Sequence, residues 1–184
     1  MTKDQAKTNG KLDLLLINPV GRENIYQKLS ANLSAVEPPL WCRLIGGYVR
    51  DRGFTVQILD SEALNLGPAA IAQKVLETGP RLVAMIVFGH QPSASTQQMM
   101  GAGEACQAIK EAKDDIPIIM IGGHVSALPE RTLLDEAVDF VCKGEGPVTV
   151  VQLLDALASG VGGDGDLESI GGLVWRRGDG AVVN

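Results

Sequence analysis

Several short strings in this sequence carry residue types suited to holding a ligand. Gly122, Gly123 and His124 close one apolar run, and Gly144, Glu145 and Gly146 follow another. Glycines at the ends of such runs let a bulky group approach the backbone with no side chain in the way. Asn18 and Pro19 close a third run, and Gly89 and His90 a fourth. Ser93 and Ser95 open the helical pattern that follows, where serine also serves as an ordinary helix cap. Trp41 and Cys42 stand in the opening turn of another helix. Between Asn18 and Pro38 the chain shows no periodicity, which is long for a simple connection and typical of a loop with a function. Taken together, these strings favour a large, extended ligand. A histidine at the end of a strand is more often bonded locally than a metal ligand, and this applies to both His90 and His124. Cys42, Cys106 and Cys142 lie too far apart for a disulfide framework or a zinc or iron–sulfur ligand set, and suit a reducing cytoplasm.

The elements that would position these residues follow from hydrophobic periodicity. Apolar runs at 12–17, 54–59, 82–88, 116–121 and 138–142 read as strands, with helical patterns between them. The first helix opens at Pro38 and Pro39, whose fixed φ suits a first turn, and Leu40, Leu44 and Tyr48 recur along it at helical spacing. The helix from about Ser93 to Ala112 carries Ala102, Ala105, Cys106 and Ile109 on one stripe, small enough to lie close to a sheet. The helix from Pro147 is expected to bury Val151, Leu154 and Leu157, and shorter helices are expected near 68–77 and 129–136.

Strand and helix alternating in this way imply a parallel sheet with helices on both faces, because parallel neighbours need crossovers. The runs at 12–17, 82–88 and 116–121 are apolar throughout, as strands covered on both faces must be. Phe54, Val56 and Ile58 alternate with Thr55 and Gln57, and the fifth run is short, so strands two and five are expected at the edges. This is an α/β, Rossmann-like fold with five parallel strands in the flavodoxin-like order 2-1-3-4-5. Its switch point lies between strands one and three, so a ligand should sit above the carboxyl ends of strands one, three and four. Residues 1–10 are expected to stay a disordered tail, 11–158 to form the domain, 159–169 a Gly/Asp linker, and 170–184 a hairpin.

The 184 residues are 45% hydrophobic, enough for a sizeable core. Sixteen basic and twenty-two acidic residues give a net charge of −6 with no basic run to track a phosphate backbone, which argues against nucleic acid. No apolar stretch reaches the ~20 residues that a bilayer requires, and the first ten residues are polar, so the chain reads as neither spanning nor secreted. Common occupants of the fold lack their residues here. A phosphorylated receiver needs acidic groups where Asn18, Pro19, Phe88 and Gly89 stand. A flavodoxin needs a hydroxyl-rich loop where residues 19–23 offer none, and the Gly-x-Gly of Gly101 and Gly103 falls inside a helix, where close packing accounts for it better than a dinucleotide does.

The ordered set of strings resembles a known family: the cobalamin-binding domain at the amino end of cobalamin-dependent radical S-adenosylmethionine enzymes of methyltransferase type. The residues that carry the likeness are Leu15 to Pro19; Glu37 to Leu40; Gly122, Gly123 and His124 followed by Leu128, Pro129 and Glu130; and Val138, Asp139 and Phe140 leading to Gly144, Glu145 and Gly146. It covers about 12–158, and the hairpin is similar to the segment that precedes the radical domain in that family.

The resemblance implies cobalamin as cofactor, with Gly122 and Gly123 matching the glycine pair past which its nucleotide tail threads. Ser93 and Ser95 match the place of a hydroxyl that bonds the tail, and Trp41, at the ligand edge, is expected either to cover the lower face of the corrin or to pack in the core. Cobalamin domains that supply a histidine to cobalt carry Asp-x-His-x-x-Gly after strand one, and no histidine lies between Asn18 and Gly53. Base-off, His-off binding without a protein metal ligand is therefore expected. The radical half of such enzymes needs Cys-x-x-x-Cys-x-x-Cys for a 4Fe-4S cluster. This sequence lacks it, so the cluster, S-adenosylmethionine and any methyl transfer to carbon or phosphorus are expected of a radical domain beyond Asn184 or in another chain. The alternatives are a free-standing cobalamin carrier or sensor, and a nucleotide-sugar-binding fragment of a transferase.

Overall fold

Leu14, Leu15, Leu16 and Ile17 are all buried, so the strand they form, β1 (Leu14–Asn18), has a layer on each face. The computed structural model describes residues 11–21, 38–89, 92–160, 164–178 and 180–184. The expected tail at 1–10 lies outside them. β1 pairs in parallel with β2 (Val56–Asp60) and with β3 (Leu82–Val87), placing Leu16 between Ile58 and Ala84. β3 pairs with β4 (Ile118–Gly122), and β4 with the short β5 (Phe140–Cys142), both in parallel.

Alternate side chains of these strands feed two cores. On one face Leu15, Ile17, Val83, Met85, Ile118 and Met120 join Ile71 and Val75 of a helix spanning Pro68–Thr78 and the expected stripe Ala102, Ala105, Cys106 and Ile109 of α4 (Pro92–Ala112). On the other face Leu14, Leu16, Ile119 and Ile121 join α1 (Leu40–Arg50) and α7 (Pro147–Ala158). Between α1 and α4 lie α2 (Ser61–Leu64) and the Pro68–Thr78 helix, α3. Two further short helices, α5 (Gly123–Ala127) and α6 (Pro129–Asp135), connect β4 to β5. Among the described residues, no helix is long and apolar enough to cross a membrane.

The strand order 2-1-3-4-5 holds, and β2 lies at one edge. Strand five does not lie at the other. The hairpin, β6 (Leu173–Arg177) and β7 (Gly180–Val183), adds two antiparallel strands, making a seven-stranded mixed sheet ordered β2-β1-β3-β4-β5-β6-β7 rather than a five-stranded parallel one. β5 is short because only three of its residues pair, and not because it is an edge: Val141 sits between Met120 and Val174. A one-turn helix, α8 (Asp164–Leu167), precedes the hairpin, and Leu167, Ile170, Leu173 and Trp175 belong to the second core.

A second correction concerns α1. Leu40 and Leu44 are each 54% exposed, and the helix buries Cys42, Ile45, Gly46 and Val49 instead. Both stripes are apolar, and packing selects the one containing Gly46. A Cβ there would lie 3.0 Å from Leu16 and 3.3 Å from Val56, so glycine lets the helix settle close on β1 and β2. In α7 the buried residues are Thr149, Val150, Leu153 and Leu154, so Leu154 is buried as expected, while Val151 and Leu157 are half-buried against the same core.

Candidate functional site

The carboxyl ends of β1, β3, β4 and β5 share one edge of the sheet, where the parallel strands place their following loops. At the end of β1, the Asn18 amide donates to Asp60 Oδ1 at 2.9 Å, and the same carboxylate oxygen caps α2 by accepting from the Ala63 N–H. Pro19 is buried, and the Gly21 N–H donates to Glu62 Oε2 at 2.6 Å. The loop leaving β1 is thus tied to the turn that follows β2. Cys42 lies in the first turn of α1, and burial together with Asp60 pushes its thiol up to about 12. A thiol so held stays protonated and is a poor metal ligand. Among the described residues, no group of His, Cys, Asp and Glu could hold a metal ion.

Trp41 stacks on Phe88, with centroids 4.2 Å apart and planes inclined by 19°. Both rings are half-buried, so the pair forms an aromatic wall where β3 ends and α1 begins. Gly89 packs against Ala94, and a Cβ would overlap that side chain.

The clearest polar geometry is at Ser95, which is 2% exposed. Its hydroxyl donates to the Val87 carbonyl at 2.5 Å and accepts from the His124 N–H at 3.0 Å, joining β3, α4 and the start of α5. Ser93 is exposed. His124 Nδ1 lies 3.0 Å from the Thr96 hydroxyl oxygen. Gly122 and Gly123 differ in their surroundings. A Cβ on Gly122 would overlap the Val87 carbonyl, whereas at Gly123 it would meet nothing nearer, among the described residues, than Ser95 at 3.7 Å. Gly144 (φ +125°) is likewise open, with nothing among the described residues within 4 Å of a Cβ, and its N–H donates to Ser126 Oγ at 2.9 Å. Glu145 is exposed, and Gly146 (φ +96°) turns the chain into α7 against Ile121.

The structure therefore brings Asn18, Trp41, Gly89, Ser95, Gly122, Gly123, His124 and the Gly144–Gly146 turn to one edge. His90 and Glu37 lie outside the described residues. Sequence reasoning missed Thr96, Phe88 and Ser126 as partners in this arrangement. Thr96 and Ser126 carry no local pattern, and Phe88 read as a strand end. A polar cleft elsewhere, lined by Lys110, Glu111, Asp139 and Arg176, is closed by structural bonds: Lys110 pairs with Asp139 at 2.8 Å and donates to the carbonyls of Asp114 and Ile116.

A sheet of this order with open glycines at its switch-point edge is a ligand-binding α/β domain. The B12 binding domain family matches residues 26–154, and the chain belongs to that family. An anaerobic magnesium-protoporphyrin IX monomethyl ester cyclase from Synechocystis is 30% identical over 144 residues, covering 76% of this chain and 26% of the relative. An uncharacterized methyltransferase from Pyrococcus horikoshii is 30% identical over 148 residues, covering 80% of this chain and 29% of the relative. Among solved structures, TsrM from Kitasatospora setae, a radical S-adenosylmethionine methyltransferase with cobalamin and a [4Fe-4S] cluster bound, shares the fold at a TM-score of 0.71 and 20% identity. That match covers 94% of this chain and 28% of TsrM. The chain spans between a quarter and a third of the length of these proteins.

Proposed function

We propose that this chain holds cobalamin base-off and without a protein ligand to cobalt, as the cobalamin-binding domain of a radical S-adenosylmethionine enzyme of methyltransferase type. The observation that carries the reading is the open backbone at Gly123, beside the buried Ser95 hydroxyl, at the end of an interior strand. A cradle that an added side chain would fill, at the carboxyl edge of the sheet of a B12 binding domain, suits the nucleotide tail. The exposed turn at Gly144 and Glu145 borders the same edge, and Asn18 and Pro19 border it on the other side.

Bound cobalamin would supply a cobalt able to carry a methyl group. This chain's residues would position and shield it. The Trp41–Phe88 stack presents a rigid aromatic surface that would keep water from the lower face of the corrin. Cleavage of S-adenosylmethionine needs a 4Fe-4S cluster, and the three cysteines of this sequence lack the spacing for one. That step belongs to a radical domain joined in cis or in trans.

Titration of the purified chain with hydroxocobalamin should give a base-off visible spectrum. Paramagnetic resonance of the reduced Co(II) form should show no nitrogen hyperfine splitting, and Trp41→Ala should shift the Co(II) signals as water gains the lower face. Nitrogen splitting that vanishes in His90→Ala or His124→Ala would overturn the His-off reading, and Co(II) spectra unchanged in folded, loaded Trp41→Ala would remove Trp41 from the corrin.

A further inference from the structure

A serine has one proton to donate, and Ser95 gives its proton to the Val87 carbonyl at 2.5 Å. Its oxygen is already engaged by the His124 N–H. At 2% exposure, this hydroxyl has no second donor to offer a ligand, so the donor role that the resemblance assigns to a serine cannot be met by Ser95 in this arrangement. Ser93 is exposed, and among the described residues no hydrogen bond ties its hydroxyl to the end of β4 or to Gly123.

The next residue changes the inventory. Thr96 and His124 form a couple, hydroxyl oxygen to Nδ1, at 3.0 Å, directly beside the open Gly123. When the Thr96 hydroxyl donates to Nδ1, the neutral ring carries its proton on Nε2. When Nδ1–H donates to Thr96, the hydroxyl proton is released to a further partner instead. A doubly protonated ring adds a donor and removes none. Among the described residues, every proton arrangement of the couple therefore leaves at least one donor uncommitted, where Ser95 leaves none.

We infer that the Thr96–His124 couple is the hydrogen-bond donor to an acceptor on the nucleotide tail of cobalamin, beside Gly123. Ser95 is then a positioning residue: by bonding the His124 N–H and the Val87 carbonyl, it sets the place of the couple at the end of β3 and β4. This inference rests on the cobalamin reading above.

The test compares two ligands that differ in the tail, hydroxocobalamin and cobinamide, which lacks the nucleotide. Because each partner holds the other's donor in place, calorimetric titration of the parent protein, Thr96→Val, Thr96→Ser and His124→Phe is expected to show cobalamin binding about tenfold weaker in Thr96→Val and His124→Phe, the scale of one lost hydrogen bond. Cobinamide binding should be unchanged, Thr96→Ser should bind as the parent does, and the double variant should lose no more than either single one because the two residues act as a unit. Thr96 is exposed, so its variants test the couple without opening the core. Equal loss for both ligands, or no loss for either, would overturn the inference and make the couple a local cap of α5. A parent protein that binds neither ligand would overturn the cobalamin reading itself, and the inference with it.

Discussion

At Gly122 the Val87 carbonyl leaves no room for a Cβ, whereas at Gly123 the same atom would meet, among the described residues, only Ser95 at 3.7 Å. The two adjacent glycines therefore separate a requirement of the fold from the ligand role proposed for Gly123. Gly122→Ala must push β4 away from β3 and should cost about 1–3 kcal/mol, read as a lowered melting temperature. Gly123→Leu should leave the melt nearly unchanged and sharply weaken cobalamin binding measured by calorimetry, because its side chain takes the volume proposed for the tail. Equal losses of stability and binding at Gly123 would show that this glycine, too, serves the fold. The glycine pair was legible in the sequence as a place where backbone could be approached. Which glycine has room for a Cβ was not legible, because the answer depends on a carbonyl 35 positions earlier in the chain.

The hairpin shows how an element changes its meaning once it pairs. Read along the chain, residues 170–184 follow a glycine-rich stretch and look detached, but Trp175 pairs opposite Phe140 and is only 2% exposed. Trp175→Ala should cost about 3–5 kcal/mol in chemical denaturation, the scale of a large ring removed from a core. Trp175→Phe should cost less, since it keeps most of the ring and removes a buried indole N–H that has no hydrogen-bond partner among the described residues. Leu44 offers the contrast. Its stripe on α1 looks like a core stripe in the sequence, yet Leu44 is 54% exposed, so Leu44→Gln should change stability by no more than about 0.5 kcal/mol. A loss at Leu44 comparable to that of Trp175→Ala would mean that this helix face is covered in solution.

Across the whole molecule, the two cores hold all three cysteines away from solvent. Cys42 and Cys142 belong to one core and Cys106 to the other, and burial raises the pKa of each thiol. A thiol reagent at pH 8 should therefore leave the native protein unlabelled and modify three thiols on unfolding. The pH dependence follows the same linkage. Each thiol has a folded pKa above its unfolded value, near 9, so below pH 9 both states hold the proton and nothing is lost. As pH rises above 9 the unfolded state ionises first, and stability falls until the folded thiol also titrates, for Cys42 at about 12. Rapid labelling of any cysteine in the native protein at pH 8 would contradict the sealed cores.

The sequence by itself determined the alternation of strands and helices and the order of the first five strands. These follow from local periodicity and from the chirality of parallel crossovers, which act along the chain. The tertiary structure alone decided that β5 is flanked by the hairpin, that α1 turns its Gly46 stripe inward, and that Ser95 gives its proton to Val87 while Thr96 meets His124. Each of these depends on contacts between residues far apart in the chain. No local pattern records such a contact, because it is selected by space and hydrogen-bond partners that exist only once the sheet has formed.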